Sequence, residues 1–420
     1  MNKWKEIFST LILFTGITVF ILASQNKTSA THSYVTKIPK QTTAHFLINS
    51  NFLLKELLIS EIFEAKDEFV IDKIKAFSQL KRNQKSHIKN LSINIFEPIE
   101  FFTIKTKTEV YQTLKFKIVN KEVFDRNCLN KQNKIGFFRH NNTGFIVFSA
   151  NNTNAKYLKN LLLSNCRTLE IENNNKSQYF TFFENSKIKY NGAIETLNNA
   201  IVIRTKTNEK VKKNSALNPR GFHLSTKINT ANLQSIEGAS TFKLFSPEKI
   251  DFISLNYFGI EIKENSFLPA VPKMDLLLSY SSKINLDSIL YKFSNSYGIE
   301  FSKISNETYF LKNINLEIKQ LSSNQIYLSS TSNKPNTIAL NEDFYISGNA
   351  NNLVKIENAG WKSLFLELIP MFKTSKTFIN KTKNITTERI NDKEQKITLQ
   401  FNNKANSFHE IFKLIVSIQD

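Results

Sequence analysis

The chain has 420 residues, and its 56 lysines and arginines outnumber its 36 aspartates and glutamates, which gives a net charge of +20. A hydrophobic fraction of 41% excludes a wholly disordered chain, and only 10 glycines exclude collagen-like repeats. The basic residues are 49 lysines and 7 arginines. This ratio argues against nucleic acid as a partner, because nucleic-acid sites favour the bidentate guanidinium of arginine.

The first predicted element is a membrane span. Lys3 and Lys5 precede an apolar, uncharged run at residues 7–23. As a helix this run extends about 25 Å, and Trp4 can anchor it at the membrane interface. We therefore predict a signal anchor or transmembrane helix over residues 1–26, with the membrane as partner through residues 7–23.

A cleaved signal peptide is the alternative, since a basic start and an apolar middle are common to both. The anchor is preferred because a cut after Ala23 would place Ile21 at the −3 position, and a cut after Ala30 lies far from the apolar run. A long body is translocated largely regardless of its charge. The expected location is a bacterial inner membrane, single-pass with an extracytoplasmic body, or the periplasm after cleavage.

A polar tether is predicted at residues 27–37, and two lobes follow it at 38–265 and 266–420. The first lobe begins with Ile38-Pro39-Lys40, a strand at Ala44–Ile48 and helical patterns beyond Asn51. The second begins with Val271-Pro272-Lys273, a strand at Met274–Tyr280 and a helix at Leu286–Phe293. This similar order suggests an internal repeat, and chance similarity is the alternative.

Most other patterns predict strands. Helices are predicted at 67–80, at 154–165 and at the C-terminus, where Ser407 and Glu410 form a capping box. The predicted strands are 91–96, 101–105, 114–119, 135–139, 144–149, 179–183, 200–205 and 397–401. The fold class is therefore α+β, with mostly antiparallel sheets, packed amphipathic helices, two lobes of suggested common origin and an N-terminal transmembrane helix.

The search for catalytic chemistry is negative. The chain has no nucleophile elbow, P-loop, dinucleotide fingerprint or zinc-protease motif. Ser78–Lys81 and Ser240–Lys243 match the S-x-x-K spacing, but chance matches are expected in so lysine-rich a chain. No catalytic, cofactor-binding or metal-binding residue is predicted, and no cofactor. The histidines are dispersed, namely His32, His45, His87, His140, His223 and His409.

Two further features have open alternatives. Cys128 and Cys166 either form a disulfide or are separate thiols, because pairing requires geometry that the sequence lacks. The basic stretches 72–90 and 204–220 are either solvated surface or contacts for anionic lipid or an envelope protein. The second stretch has the composition of an exposed loop.

The order of anchor, polar tether, I-P-K, strand and amphipathic helix, with a closing YISGNANNLVKIENAGW segment, resembles uncharacterised bacterial exported proteins with one N-terminal span. The resemblance implies an extracytoplasmic location and carries no catalytic motif.

The sequence therefore favours a membrane-anchored cell-envelope protein of structural, interaction or ligand-holding type. A non-enzymatic role is preferred because catalytic motifs are missing. The alternatives are an envelope enzyme whose site is assembled from distant residues, and a lipid-binding protein.

Overall fold

The structure is a computed structural model, and it describes the greater part of the chain in separate segments. The described residues are 32–53, 92–94, 96–106, 109–128, 135–148, 155–173, 177–197, 199–208, 212–228, 250–262, 270–311, 315–353, 355–357 and 381–402. Outside them lie the predicted span, the helices predicted between residues 54 and 80, the predicted C-terminal helix and the basic stretch 72–90.

The chain divides into two compact units. Unit 1 contains the residues up to Thr196 together with Ile203–Asn208, and unit 2 contains Leu197–Val202 together with the residues after Asn208. The predicted boundary between residues 265 and 266 falls inside unit 2, between two strands that pair along most of their length. Sequence pattern alone did not show this pairing, because the similar start at Val271-Pro272-Lys273 assigned the second strand to a separate lobe.

Unit 1 is built on one antiparallel sheet with the strand order β9-β8-β2-β3-β4-β6-β5. A two-stranded antiparallel ribbon, β1–β7, accompanies it. The elements are β1 (His32–Pro39), β2 (Thr42–Ile48), β3 (Ile99–Lys105), β4 (Val110–Lys117), α1 (Lys121–Cys128), β5 (Ile135–His140), β6 (Thr143–Phe148), α2 (Ala155–Leu163), β7 (Cys166–Asn173), β8 (Ser177–Glu184) and β9 (Lys187–Leu197).

Both faces of this sheet bury apolar side chains, because alternate residues of each strand point to opposite faces. On one face Leu162 of α2 packs with Phe102, while the ribbon packs on Leu47. On the other face Phe124 of α1 packs with Phe116 and its neighbours. The predicted strands at 44–48, 101–105, 135–139 and 144–149 and the predicted helix at 154–165 are confirmed.

The predicted tether, 27–37, overlaps β1. Residues 32–37 form a strand that pairs with β7, and Thr36 is buried although it is polar. The reason is that the Thr36 hydroxyl finds a buried partner on β3, which a sequence pattern does not reveal.

Unit 2 is also built on one antiparallel sheet, with the order β23-β22-β20-β12-β13-β14-β18-β17-β16-β15. The elements after Leu197 are β10 (Ala200–Thr207), which crosses the division, β11 (Asn214–Leu217), β12 (Phe222–Lys227), β13 (Ile250–Ile262), β14 (Ala270–Tyr280), α3 (Leu286–Tyr297), β15 (Ser302–Ser305), β16 (Thr308–Leu311), β17 (Leu316–Ser322), β18 (Gln325–Ser329), β19 (Thr337–Leu340), β20 (Phe344–Gly348), a 3-10 helix (Ala350–Leu353), β21 (Ile356–Glu357), β22 (Thr382–Asn391) and β23 (Glu394–Phe401).

The helix α3 covers one face of the unit 2 sheet, as its apolar spacing predicts. Leu286, Ile289 and Leu290 pack on buried residues of the sheet that include Leu278 and Ile326. Ribbon β11–β19 also packs on the sheet, through two further apolar clusters. The mostly antiparallel architecture predicted from the sequence is confirmed in both units.

The strands that correspond to each other in the proposed repeat pair differently in the two units. In unit 2, β18 pairs with β14, whereas in unit 1 the corresponding β6 pairs with β4 and not with β2. A common origin of the lobes remains a prediction from sequence pattern.

Helix α3 has a cap at each end, which allows a first prediction. The Asn285 side chain accepts a hydrogen bond from Ser288 N at 3.0 Å, and Gly298 ends the helix at φ 64°. Replacing Asn285 with alanine should lower the free energy of unfolding of unit 2 by about 1 kcal/mol, because a helix-terminal N–H loses its acceptor. Urea unfolding followed by circular dichroism measures this. Asn295→Ala, on the exposed surface of the same helix, is the control and should be close to neutral.

Candidate functional site

Among the histidines whose burial the structure describes, two are completely buried, one in each unit. His45 on β2 and His223 on β12 are both 0% exposed, whereas His140 lies on the surface. His87 and His409 lie outside the described residues. Each buried histidine organises a polar cluster, and these two clusters are the most distinctive groupings of polar side chains in the described part of the chain.

The first cluster centres on the carboxylate of Glu100, which is 1% exposed. Its Oε1 accepts hydrogen bonds from Tyr34 Oη at 2.9 Å and from Lys115 Nζ at 2.8 Å. Its Oε2 accepts from His45 Nε2 at 2.9 Å and from Thr36 Oγ1 at 2.8 Å. We call these five residues the Glu100 cluster. A buried carboxylate is stable only when it is paired and hydrogen-bonded, so the folded structure of unit 1 requires these partners around Glu100.

Strand register brings these residues together. Glu100 and Lys115 are directly opposite on β3 and β4, and His45 lies on the neighbouring strand β2. Tyr34 and Thr36 come from β1, which runs over the same face. Lys115 Nζ also donates to Thr36 Oγ1 and to the carbonyl of Lys37, which ties the ribbon to the sheet.

The charges of the cluster hold Glu100 ionised. Burial alone would raise the pKa of Glu100, but the hydrogen bond from His45 and the positive charge of Lys115 lower the pKa to about 2. Burial and the adjacent carboxylate raise the pKa of Tyr34 far above its usual value, so this phenol stays protonated and donates. Since a carboxylate only accepts, His45 Nε2 carries a proton. His45 Nδ1 has no hydrogen-bond partner among the described residues.

Cys166 lies near this cluster and carries a free thiol. Its Sγ donates to the Leu162 carbonyl at 3.1 Å. Burial raises the pKa of this thiol, and the charges of Lys115 and Lys37 oppose that shift. A thiol that is kept protonated is a poor nucleophile, so Cys166 does not have the environment of a reactive cysteine.

The second cluster surrounds His223 in unit 2. His223 Nδ1 lies 2.7 Å from Asn256 Oδ1, and His223 Nε2 lies 2.7 Å from Ser225 Oγ. Ser225 Oγ lies 2.8 Å from Ser254 Oγ. We call these four residues, all at most 3% exposed, the His223 cluster.

The hydrogen-bond directions in this cluster follow from the backbone contacts of Asn256. Asn256 Oδ1 accepts from the backbone N–H of Arg220, and Asn256 Nδ2 donates to the Asn218 carbonyl, which fixes the amide orientation. His223 Nδ1 must therefore donate. Burial lowers the pKa of His223, so the ring is neutral and its Nε2 accepts from Ser225. Ser225 Oγ also lies 2.8 Å from Ser254 Oγ, and Ser254 Oγ accepts from Leu217 N at 3.0 Å.

The His223 cluster belongs to a longer row of polar side chains across the sheet. Successive cross-strand partners on β20, β12, β13, β14, β18 and β17 are all polar, and cross-strand partners point to the same face. Asp275 in this row accepts from Ser329, Thr331 and Asn333. The row consists of Ser347, His223, Asn256, Asp275, Ser329 and Glu317.

Serine, histidine and asparagine at these distances have the order of a nucleophile, a base and an orienting group. A hydrolase serine must also be reached by its substrate. Ser225 is 1% exposed, and its oxygen already contacts Ser254. The arrangement therefore satisfies buried polar groups and does not present an open reaction centre in this structure.

The other sequence candidates have separate outcomes. Ser78–Lys81 and Ser240–Lys243 lie outside the described residues. In the stretch 204–220, β11 buries Ala216 and Leu217 almost completely, which corrects the expectation of an exposed loop, whereas Lys206, Lys212 and Lys213 are exposed. Ala216 is buried against Phe252, and Leu217 is buried against Leu277.

Metal-binding and membrane-spanning features were also sought in the described residues. These residues contain no group of three or more histidine, cysteine, aspartate or glutamate side chains placed to hold a metal ion. Among the described helices, none has the length and apolar character needed to cross a membrane.

Sequence reasoning missed both clusters. The detectable signal was a polar residue at an inward position of an alternating strand, as at His45 between Ala44 and Phe46. The partners of such a residue could not be found, because Glu100 is 55 positions away from His45.

Comparison with known proteins gives no relative. The chain matches no family model, no curated protein and no solved structure.

Proposed function

We propose that the chain is a membrane-anchored protein of the bacterial cell envelope, with an extracytoplasmic body of structural, interaction or ligand-holding type. The observation that carries this proposal is the uncharged apolar run at residues 7–23 behind Lys3 and Lys5. Only residues 24–31 separate it from β1, so a folded body follows the apolar run closely.

The two buried clusters support a non-enzymatic role. Their side chains form most of their hydrogen bonds with one another and with the backbone, and the central residues are buried from solvent. Such networks commonly specify a fold and stabilise it. A body stabilised in this way is suited to hold a binding surface in a fixed shape.

The anchor is tested with the full chain in a bacterial host. We expect the protein to remain with the membrane after an alkaline carbonate wash, with Trp4 still present at its N-terminal end. A periplasm-dependent reporter fused after Asp420 should be active. A soluble form that begins after Ala23 or Ala30 would refute the anchor, and a reporter active only in the cytoplasm would refute the orientation.

A second candidate is a serine hydrolase of the envelope, and the order Ser225, His223, Asn256 favours it. A fluorophosphonate probe distinguishes the two, because it reacts with an activated and accessible serine. We expect no labelling of the native full chain. Labelling that disappears in Ser225→Ala and persists in the exposed control Ser302→Ala would establish the hydrolase instead.

A further inference from the structure

One end of unit 1 is defined by the direction of β1. Tyr34 and Thr36 of β1 reach Glu100, the second residue of β3. Gln41, two residues after β1, accepts a hydrogen bond from the N–H of Lys105, the last residue of β3. Strand β1 therefore runs along β3 from start to finish, and His32 lies at the end of the sheet where β3 begins.

Two exposed apolar side chains lie at that same end. Strand β4 finishes there, since its Lys115 is opposite Glu100. Beyond β4, Val119 N donates to the carbonyl of Ser92 at 2.8 Å, and Asn94 N donates to the carbonyl of Lys117 at 2.8 Å. Phe96 follows directly, with its N–H bound to Asn94 Oδ1. Val119 is 69% exposed and Phe96 is 55% exposed.

The chain that precedes β1 limits how far this end can be from a membrane. Residues 24–31 separate the apolar run 7–23 from His32, and eight residues extend at most about 28 Å. The start of β1, and with it the end of the sheet that carries Phe96 and Val119, therefore lies within about 28 Å of the apolar run.

We propose that Phe96 and Val119 insert into the interfacial region of the bilayer in which the chain is anchored. This inference rests on the proposed membrane anchor. The partner is the lipid surface, because an aromatic and a β-branched apolar side chain at an exposed tip can enter the boundary between headgroups and acyl chains.

The charged residues near Phe96 and Val119 indicate whether the proposed lipid contact is apolar or electrostatic. Lys117 and Lys121 are exposed there, and so are Glu97 and Glu122. Among these described residues the two signs balance, so the proposed contact is apolar and does not depend on acidic lipid or low salt.

The test uses the full chain reconstituted in phosphatidylcholine vesicles whose lipids are brominated on the acyl chains. Trp4 and Trp361 are replaced by phenylalanine, and one tryptophan is introduced as Val119→Trp or Phe96→Trp. The control is Val110→Trp, because Val110 is 51% exposed and lies at the opposite end of β4. Bromine quenches tryptophan only at close range.

We expect at least about twofold quenching of tryptophan 119 and tryptophan 96 and little quenching of tryptophan 110, because insertion reaches about 5–10 Å into the boundary. The difference should persist at about 1 M salt, where exposed charges are screened beyond about 3 Å. Equal quenching at 119 and 110 in a chain that resists carbonate extraction would overturn this inference and leave the anchor intact. A chain released by carbonate would overturn both.

Discussion

Replacing Glu100 with glutamine is expected to lower the free energy of unfolding of unit 1 by about 3–5 kcal/mol, because removing one partner of a buried ion pair leaves the other charge uncompensated. In the Glu100 cluster that partner is Lys115, whose ammonium lies 2.8 Å from the carboxylate. The hydroxyls of Tyr34 and Thr36 also lose an ionised acceptor. For a unit of this size, the melting temperature should fall by roughly 10 °C.

The control is Glu184→Gln in the same unit. Glu184 pairs with Lys189 at 2.7 Å, but its side chain is 48% exposed, so solvent screens the pair. The expected loss is about 0–1 kcal/mol. Thermal unfolding of the full chain in mild detergent compares the two variants. Similar losses in both variants would mean that the buried ion pair of Glu100 contributes no more to the stability of unit 1 than an exposed one.

The same carboxylate makes unit 1 sensitive to acid. The folded-state pKa of Glu100 is about 2, below its ordinary value of 4.5. A lowered carboxyl pKa contributes stability that is complete above pH 4.5 and is lost as the pH falls through the folded value. The contribution is about 3 kcal/mol at neutral pH. The native chain should therefore lose stability between about pH 5 and pH 2, and Glu100→Gln should lose less over the same interval.

Replacing Asn256 with alanine is expected to lower the free energy of unfolding of unit 2 by about 1–3 kcal/mol, because the buried Nδ1–H of His223 is left without a partner. The N–H of Arg220 and the carbonyl of Asn218 also lose a partner, but these groups are only partly buried and water can replace it. Urea unfolding followed by circular dichroism measures the loss.

Asn391→Ala is the matched control, because Asn391 is exposed at the end of β22 in unit 2. Its side chain accepts a hydrogen bond from Lys393 N and donates a long one, 3.4 Å, to Glu394 Oε2. Its expected cost is below about 1 kcal/mol. If Asn256→Ala unfolded at the same urea concentration as Asn391→Ala, the hydrogen-bond directions assigned to the His223 cluster would be wrong.

Local sequence patterns predicted the strands and helices that bury one apolar face. The alternation around Phe102 and the helical spacing from Leu286 correspond to β3 and α3, because apolar periodicity reports directly on one buried face. The same rule failed for β1. Its Thr36 is polar but buried, and its partner Glu100 is 64 positions away.

The candidate sites could not be predicted for a related reason. Ser225 and His223 alternate on β12 as polar residues normally do on a solvated face. They are buried because Asn256 and Ser254 stand opposite them on β13 and complete their hydrogen bonds. Two polar patterns separated along the chain become one buried cluster only after the strands pair, so neither pattern alone indicates burial.

The ribbon β1–β7 has a mechanical consequence for a chain held at its N-terminus. In the proposed anchored protein, tension from the membrane would reach the body through His32 and run along β1. The eight residues from His32 to Pro39 pair with β7, and the hydrogen bonds of this ladder are perpendicular to that direction. They therefore resist shear together and do not open one after another. Tyr34 and Thr36 add side-chain bonds to Glu100, which fastens the first strand to the centre of the sheet.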